Sequence, residues 1–158
     1  EVLLDPDTRH PQLVLSQDCR SVRWTEMWQD LPYNMKRFEH LCCVLGREGF
    51  TDGRHCWEVE GEAGNESCWA IGVATEAVRR KAIISYSPSE RIWAVQNEKG
   101  RIQALTESET SVPLCPVPRR IWVVLDFTGS WVTFVSADNG AEIFTFKLTS
   151  FTGQKIYP

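Results

Sequence analysis

The side chains best suited to chemistry are three histidines, His10, His40 and His55, and six cysteines, Cys19, Cys42, Cys43, Cys56, Cys68 and Cys115. A zinc site needs thiolates or imidazoles converging at short spacings, and no CxxC pair occurs. His40 lies two residues from Cys42 and His55 adjoins Cys56, which could bring a thiol to an imidazole, but neither sits beside a GxSxG-like elbow. Cys42 and Cys43 fall in an apolar run that reads as a strand, which sends them to opposite faces where they cannot share an ion. The cysteines read as buried free thiols of a reducing compartment. Glu62, Glu66, Glu76, Glu98, Glu107 and Glu109 lie in turns and loops, where solvation accounts for a carboxylate. No P-loop or dinucleotide fingerprint follows a strand. Asn65, Glu66 and Ser67 form a glycosylation sequon that matters only in a secretory lumen. The expectation is a chain without catalytic residues, metal or cofactor.

The elements that carry these residues are short. Apolar or alternating runs recur through the chain: QLVLS, SVRW, CCVL, HCWEVE, CWAIGVA, RIWAV, RIQAL, IWVVLDF, WVTFVS and EIFTF. Turn signals separate them at Asp52-Gly53, Gly61 to Ser67, Lys99-Gly100, Thr128-Gly129 and Asp138-Asn139-Gly140. In HCWEVE, Trp57 and Val59 share one face while Cys56, Glu58 and Glu60 take the other. CWAIGVA is uniformly apolar and reads as a central strand. No dozen residues hold a 3.6-residue apolar period. The expected fold is all-β, a two-sheet antiparallel β-sandwich with little helix.

The chain has 158 residues, room for one domain with a substantial core. Hydrophobic residues make up 42% and charged residues 24%, the balance of a soluble globular protein. A net charge of −4 supplies no general attraction to phosphate backbones or anionic lipid, so nucleic acid is not an expected partner. No apolar run of membrane-spanning length occurs, and direct membrane insertion is not expected. Arg79, Arg80 and Lys81, like Arg119 and Arg120, read as solvated loop charge. Thr25 to Lys36 reads as an exposed loop bearing Trp28, Tyr33 and Met35, the kind of segment that binds. Trp57, Trp69 and Trp93 read as core.

Ordered motifs across nearly the whole chain resemble the PRY-SPRY family. LDPDT at Leu4 to Thr8, DLP at Asp30 to Pro32 and RF at Arg37 and Phe38 look like its PRY part, about residues 1–45. VLG at Val44 to Gly46, GRHCWEVE at Gly53 to Glu60, WAIGVA at Trp69 to Ala74, VRRK at Val78 to Lys81, RIW at Arg91 to Trp93 and LDF at Leu125 to Phe127 look like its SPRY part, about residues 46–158. The resemblance implies a concanavalin-like SPRY sandwich, excised from a larger protein, that binds a protein or peptide ligand without catalysing a reaction. Similar modules select substrates in cytoplasmic tripartite-motif ubiquitin ligases, whose parents dimerise through an upstream coiled coil. Others form the cytoplasmic ligand-sensing tails of butyrophilins, and a third context is a secreted toxin-like protein.

By the same resemblance the ligand pocket takes Ile83, Tyr86, Gln96 and the adjoining Asn97. The Asn and Arg with which some relatives grip a carboxylate correspond here to Leu41 and Cys43. The basic phosphate-binding positions of metabolite-sensing butyrophilins correspond to Gln103 and Glu109. Trp28 joins the candidates from its loop. Trp122 and Trp131 stand where the family has smaller or aliphatic residues. Family members continue past IYP into a further strand, so the resemblance predicts an unpaired sheet edge at this end.

Overall fold

The computed structural model describes residues 1–62, 66–148 and 153–158. The sequon residue Asn65 lies outside these. Eleven strands form among the described residues: β1 Leu13–Leu15, β2 Val22–Trp24, β3 Arg54–Glu60, β4 Cys68–Thr75, β5 Ile92–Glu98, β6 Arg101–Ala104, β7 Thr110–Val112, β8 Arg120–Asp126, β9 Trp131–Ser136, β10 Glu142–Lys147 and β11 Ile156–Tyr157. Among the described residues the helical content is one 3-10 turn at Pro88–Glu90. All pairings are antiparallel, giving a four-stranded sheet β10-β9-β8-β3, a five-stranded sheet β11-β4-β5-β6-β7 and the hairpin β1-β2.

Period-two alternation builds the sandwich. Inward residues of β4, β5 and β6, among them Val73, Trp93, Val95 and Ile102, meet Ile121, Val123, Leu125, Val132 and Phe134 of the opposite sheet in one core. Trp57 and Trp69 pack at its margin, with Trp93 inside. The hairpin between β5 and β6 turns on Lys99 and Gly100, both at positive φ (51° and 86°), as a two-residue turn matched to strand twist requires. Gly72 is confined to glycine by space: a Cβ there would stand 2.1 Å from the carbonyl oxygen of Trp93.

The N-terminal third docks on the outer face of the five-stranded sheet. Phe38 and Leu45 join Ala74, Ala94, Ile92, Val78 and Leu105 in a second apolar cluster. Arg37 is buried with no carboxylate: Nη1 donates to the carbonyls of Pro6 (3.1 Å) and Arg9 (2.9 Å), and Nε to that of Pro32 (3.4 Å). His10 is also buried. Its Nδ1 accepts the N–H of Gln12 at 3.0 Å, which leaves Nε2 to donate to the carbonyl of Glu39 at 3.1 Å.

Several expectations are corrected. CCVL is not a strand: Cys43 N–H bonds to Leu41, its carbonyl to His10, and Leu45 bonds to Asp5 and to the Thr8 hydroxyl, so no ladder forms. The cysteines are free and four are not buried: Cys42, Cys56, Cys68 and Cys115 are exposed, Cys56 and Cys68 on outward strand positions, while Cys19 and Cys43 are partly covered. Arg80 and Lys81 are anchors, not solvated charge. Arg80 donates to the carbonyls of Lys36 (2.8 Å) and Glu76 (3.4 Å), and Lys81 Nζ to those of Asn34 and Arg37 (both 2.8 Å). Arg79 is held bidentate by Glu90. The sheet edge at β11 is not open: its inner flank pairs with β4, and Ile156 exchanges backbone bonds with Phe50 on the other.

Two outcomes test this account of the docked segment. Arg37→Met keeps the apolar stem but strands buried carbonyls, and should cost about 2–4 kcal/mol, seen as a lower urea midpoint at unchanged m-value. A near-zero effect would show that water replaces the guanidinium. Burial, reinforced by the nearby His40, holds the His10 pKa below its ordinary value. The unfolded chain therefore takes up that proton first, and stability should fall as pH drops through about 6.5, a slope that His10→Gln should reduce.

Candidate functional site

Docking of the N-terminal segment covers only part of the outer sheet face, and the remainder forms the candidate site. In the ladder register Ala70, Gln96, Gln103 and Ser111 lie side by side across β4 to β7, one step from Gly72 and Ala94. Small residues at 70, 72 and 94 leave a depression where Leu or Val would fill it. The result is an apolar cleft of about 90 Å³, floored by Ala70, Gly72 and Ala94 and walled by Tyr86, Cys43 and Phe38. Arg80 stacks over the Phe38 ring at 5.4 Å and fixes that wall.

The polar groups around the cleft are sparse. Burial raises the Tyr86 phenol well above the ordinary tyrosine value, with Cys43 adding to the shift, so it stays a neutral O–H donor. No described residue hydrogen-bonds that hydroxyl. Gln96 meets only the Cys68 sulfur, at 3.8 Å, and Gln103 stands beside it across the ladder. Burial likewise raises the Cys43 thiol, keeping it neutral. The cleft thus offers an apolar hole bordered by one hydroxyl and two amides, a surface for uncharged side chains and peptide groups.

Of the residues named from sequence, Cys43 and Tyr86 line the cleft, Gln96 adjoins it opposite Ala70 in the ladder with Gln103 next to it on the same face, and Leu41 packs beside Cys43 on the second cluster. Asn97 does not belong. It follows Gln96 in the same strand, so it points to the opposite face, where it is buried; its amide donates to Ser67 and its Oδ1 accepts the Gly100 N–H. Ile83 projects into solvent at 84% exposure, while its neighbour Ile84 packs with Tyr86 on the cluster. Trp28 is 63% exposed, edge-on to His10 with ring centroids 4.9 Å apart. It reaches the cleft only indirectly, because the N–H of His10 bonds to the Cys43 carbonyl. The floor residues Ala70 and Ala94 escaped the sequence reading, although strand alternation places Ala94 on the face of Gln96.

One cysteine and one histidine do meet. Cys42 Sγ lies 3.4 Å from His10 Nδ1, a partner different from those suggested by spacing. That nitrogen already accepts a backbone N–H, and burial pushes the thiol up and the imidazole down, opposite to the shifts of a thiolate–imidazolium pair. His55 stacks on Phe50 and bonds to the Asp52 carbonyl, on the face opposite Cys56.

Two domain profiles match the chain: the SPRY-associated domain, PRY, over residues 2–50 and the SPRY domain over residues 54–158. Human butyrophilin subfamily 1 member A1 is 42% identical over 97% of the chain, and E3 ubiquitin-protein ligase TRIM15 of Sus scrofa is 44% identical over 99%. The chain spans 29% and 34% of those proteins. The stonustoxin structure superposes with a TM-score of 0.80 at 25% identity, over all of this chain and 25% of that one. The TRIM65 PSpry domain superposes with the same score of 0.80 at 23% identity, over 99% of this chain and 82% of that one.

Substitution of neighbours in β5 separates surface from scaffold. Gln96→Ala should change stability by less than about 0.5 kcal/mol, whereas Asn97→Ala should lower it by about 1–3 kcal/mol, both read from urea unfolding. Equal effects would mean that the two side chains share one environment.

Proposed function

The chain belongs to the PRY-SPRY family, and on that footing we propose that it is a protein-recognition module whose ligand is an extended peptide or loop laid across the outer face of the five-stranded sheet. The observation that carries this reading is the small-residue cleft beside Tyr86, Gln96 and Gln103. One apolar ligand side chain enters the cleft, and the tyrosine hydroxyl and glutamine amides bond to the ligand backbone on either side. Leu41 and Cys43 supply no charge, so the ligand is held by an internal residue and not by a terminal carboxylate. Trp28 and its loop extend the contact beyond the cleft.

In this reading the module chooses substrates for a cytoplasmic tripartite-motif ubiquitin ligase, the ligase chemistry lying in another part of the parent protein. Its similarity to TRIM15 supports that context. Similarity to butyrophilin subfamily 1 member A1 supports the alternative of a receptor tail that senses an intracellular ligand. In either setting the cleft favours peptide over phosphorylated metabolite, because the half-buried Gln103 and the exposed Glu109 bring no positive charge to the face.

The test is selection of a random peptide library on the chain, followed by affinity measurement on folded variants. Selected peptides should share one apolar anchor and should bind Tyr86→Ala and Ala70→Glu at least about tenfold more weakly than the unsubstituted chain. Peptides that bind all three chains equally would remove the cleft from the binding surface.

A further inference from the structure

The opposite outer face of the sandwich, on the four-stranded sheet, carries a pattern that the peptide-binding reading leaves unused. Cross-strand partners place side chains in rows on this face. One row is Arg54, Asp126, Trp131 and Lys147; the next is Cys56, Val124, Thr133 and Thr145; the third is Glu58, Trp122, Val135 and Glu142. Buried or half-buried residues alternate with them along β3, β8 and β9; in β10 a bulge at Ile143 and Phe144 breaks the period, and the Thr145 hydroxyl, which donates to Glu142 Oε1 at 2.8 Å, keeps Glu142 on the same outward face. Trp122, 39% exposed, is among the large exposed apolar side chains of the described residues. Val124, Trp131 and Val135 are each half-buried around it.

The corner charges on this face are sorted, with Asp126 a carboxylate inside the otherwise cationic first row. Both corners of the first row are cationic, Arg54 and Lys147, and both corners of the third are anionic, Glu58 and Glu142. A two-fold axis lying in the face along the middle row exchanges the outer rows. It sets Arg54 of one copy against Glu58 of the other and Lys147 against Glu142, four pairs in all, with Trp131 against Val135 and Asp126, whose Oδ1 accepts the Gly129 N–H, against Trp122 between them. Residues of the middle row meet their own counterparts, and all four are small enough for two sheets to approach to the usual spacing of about 10 Å. The other in-plane axis, along the strands, would set cation against cation.

The existing contacts permit this arrangement. Trp122 Nε1 occupies only Oε1 of Glu58, at 2.9 Å, and Arg54 lies over the Trp131 ring at 5.7 Å with its donors directed to no described carboxylate. We infer that the outer face of the four-stranded sheet is a self-association surface, occupied by a second copy of this chain related by a two-fold axis along the Cys56–Thr145 row. The surface is isologous, the same patch on each copy. It lies on the layer opposite the cleft, so both copies keep their peptide-binding faces open.

The face measures roughly 20 Å by 20 Å, short of the ~800 Å² per partner of a standard interface. The contact is accordingly of the weak, transient class. Any tethering of two copies within one assembly would raise the occupied fraction through effective concentration.

Sedimentation velocity over a concentration series tests the proposal on the 158-residue chain. Arg54→Glu and Glu58→Arg should each weaken self-association at least about tenfold, since either reversal sets like charges together at two contacts. Mixing the two variant chains should restore dimer to within about twofold of the unsubstituted chain, because unlike charges then meet at both contacts. A short bismaleimide should join two chains through the Cys56 thiols, and Cys56→Ser should abolish that product while Cys68→Ser retains it. A chain that stays monomeric up to about 1 mM, or a dimer indifferent to both reversals and to Cys56→Ser, would overturn the assignment. The mixing arm reads complementation, so a fold defect in one variant cannot imitate it.

Discussion

Phe38 and Leu45 must sit against the small residues of β4 and β5, and most of the remaining structure follows from that contact. Ala74 and Ala94 lower the sheet surface enough for an aromatic ring to rest on it. Arg37 then ties the segment to Pro6, Arg9 and Pro32, and Arg80 and Lys81 tie it from the SPRY side. These donors end on backbone carbonyls, and Lys81 Nζ also pairs with Glu39 at 3.3 Å. An irregular segment has no ladder to satisfy its polar groups, and long cationic side chains take the place of strand partners. Where the segment stops, the same small-residue floor is left uncovered, and the cleft is that uncovered remainder. One sequence feature, alanine and glycine on alternate positions of two adjoining strands, thus both seats the docked segment and forms the cleft.

Much of the fold was legible because a two-sheet core writes itself as alternation. HCWEVE, RIQAL, WVTFVS and EIFTF each carry one buried face, and Lys99-Gly100 announces the hairpin between two of the strands. Strands β7 and β11 were not legible, having three and two residues with no alternation to detect. CCVL was misread because Leu45, and in part Cys43 and Val44, are covered from within a loop, where hydrophobicity and strand geometry part company. The cation run at 79–81 looked solvated since nothing local reveals that its donors reach carbonyls more than forty positions away.

The site was partly legible for the same reason. Tyr86 and Gln96 were placed through a family motif, and the structure brings both to one face. Asn97 was carried along by adjacency, against the rule that successive strand residues face opposite ways; parity alone would have excluded it. The converse error touched Ala70 and Ala94, which shape the cleft through the volume they leave empty. Side chains that act by being small carry no chemical signal and are found only when their neighbours are placed.

The pairing of Ile156 with Phe50 has a consequence for synthesis. The ring of backbone bonds that closes the second layer joins points separated by roughly 100 residues of chain, so a ribosome must deliver nearly the whole sequence before the N-terminal segment gains its last support. At ~5–20 residues per second that interval lasts roughly 5–20 s. During it the N–H and carbonyl of Phe50 have no strand partner on the nascent chain. Holdase chaperones would meet this open edge before any ligand does, and a nick just ahead of Ile156 would loosen the same edge of the finished molecule.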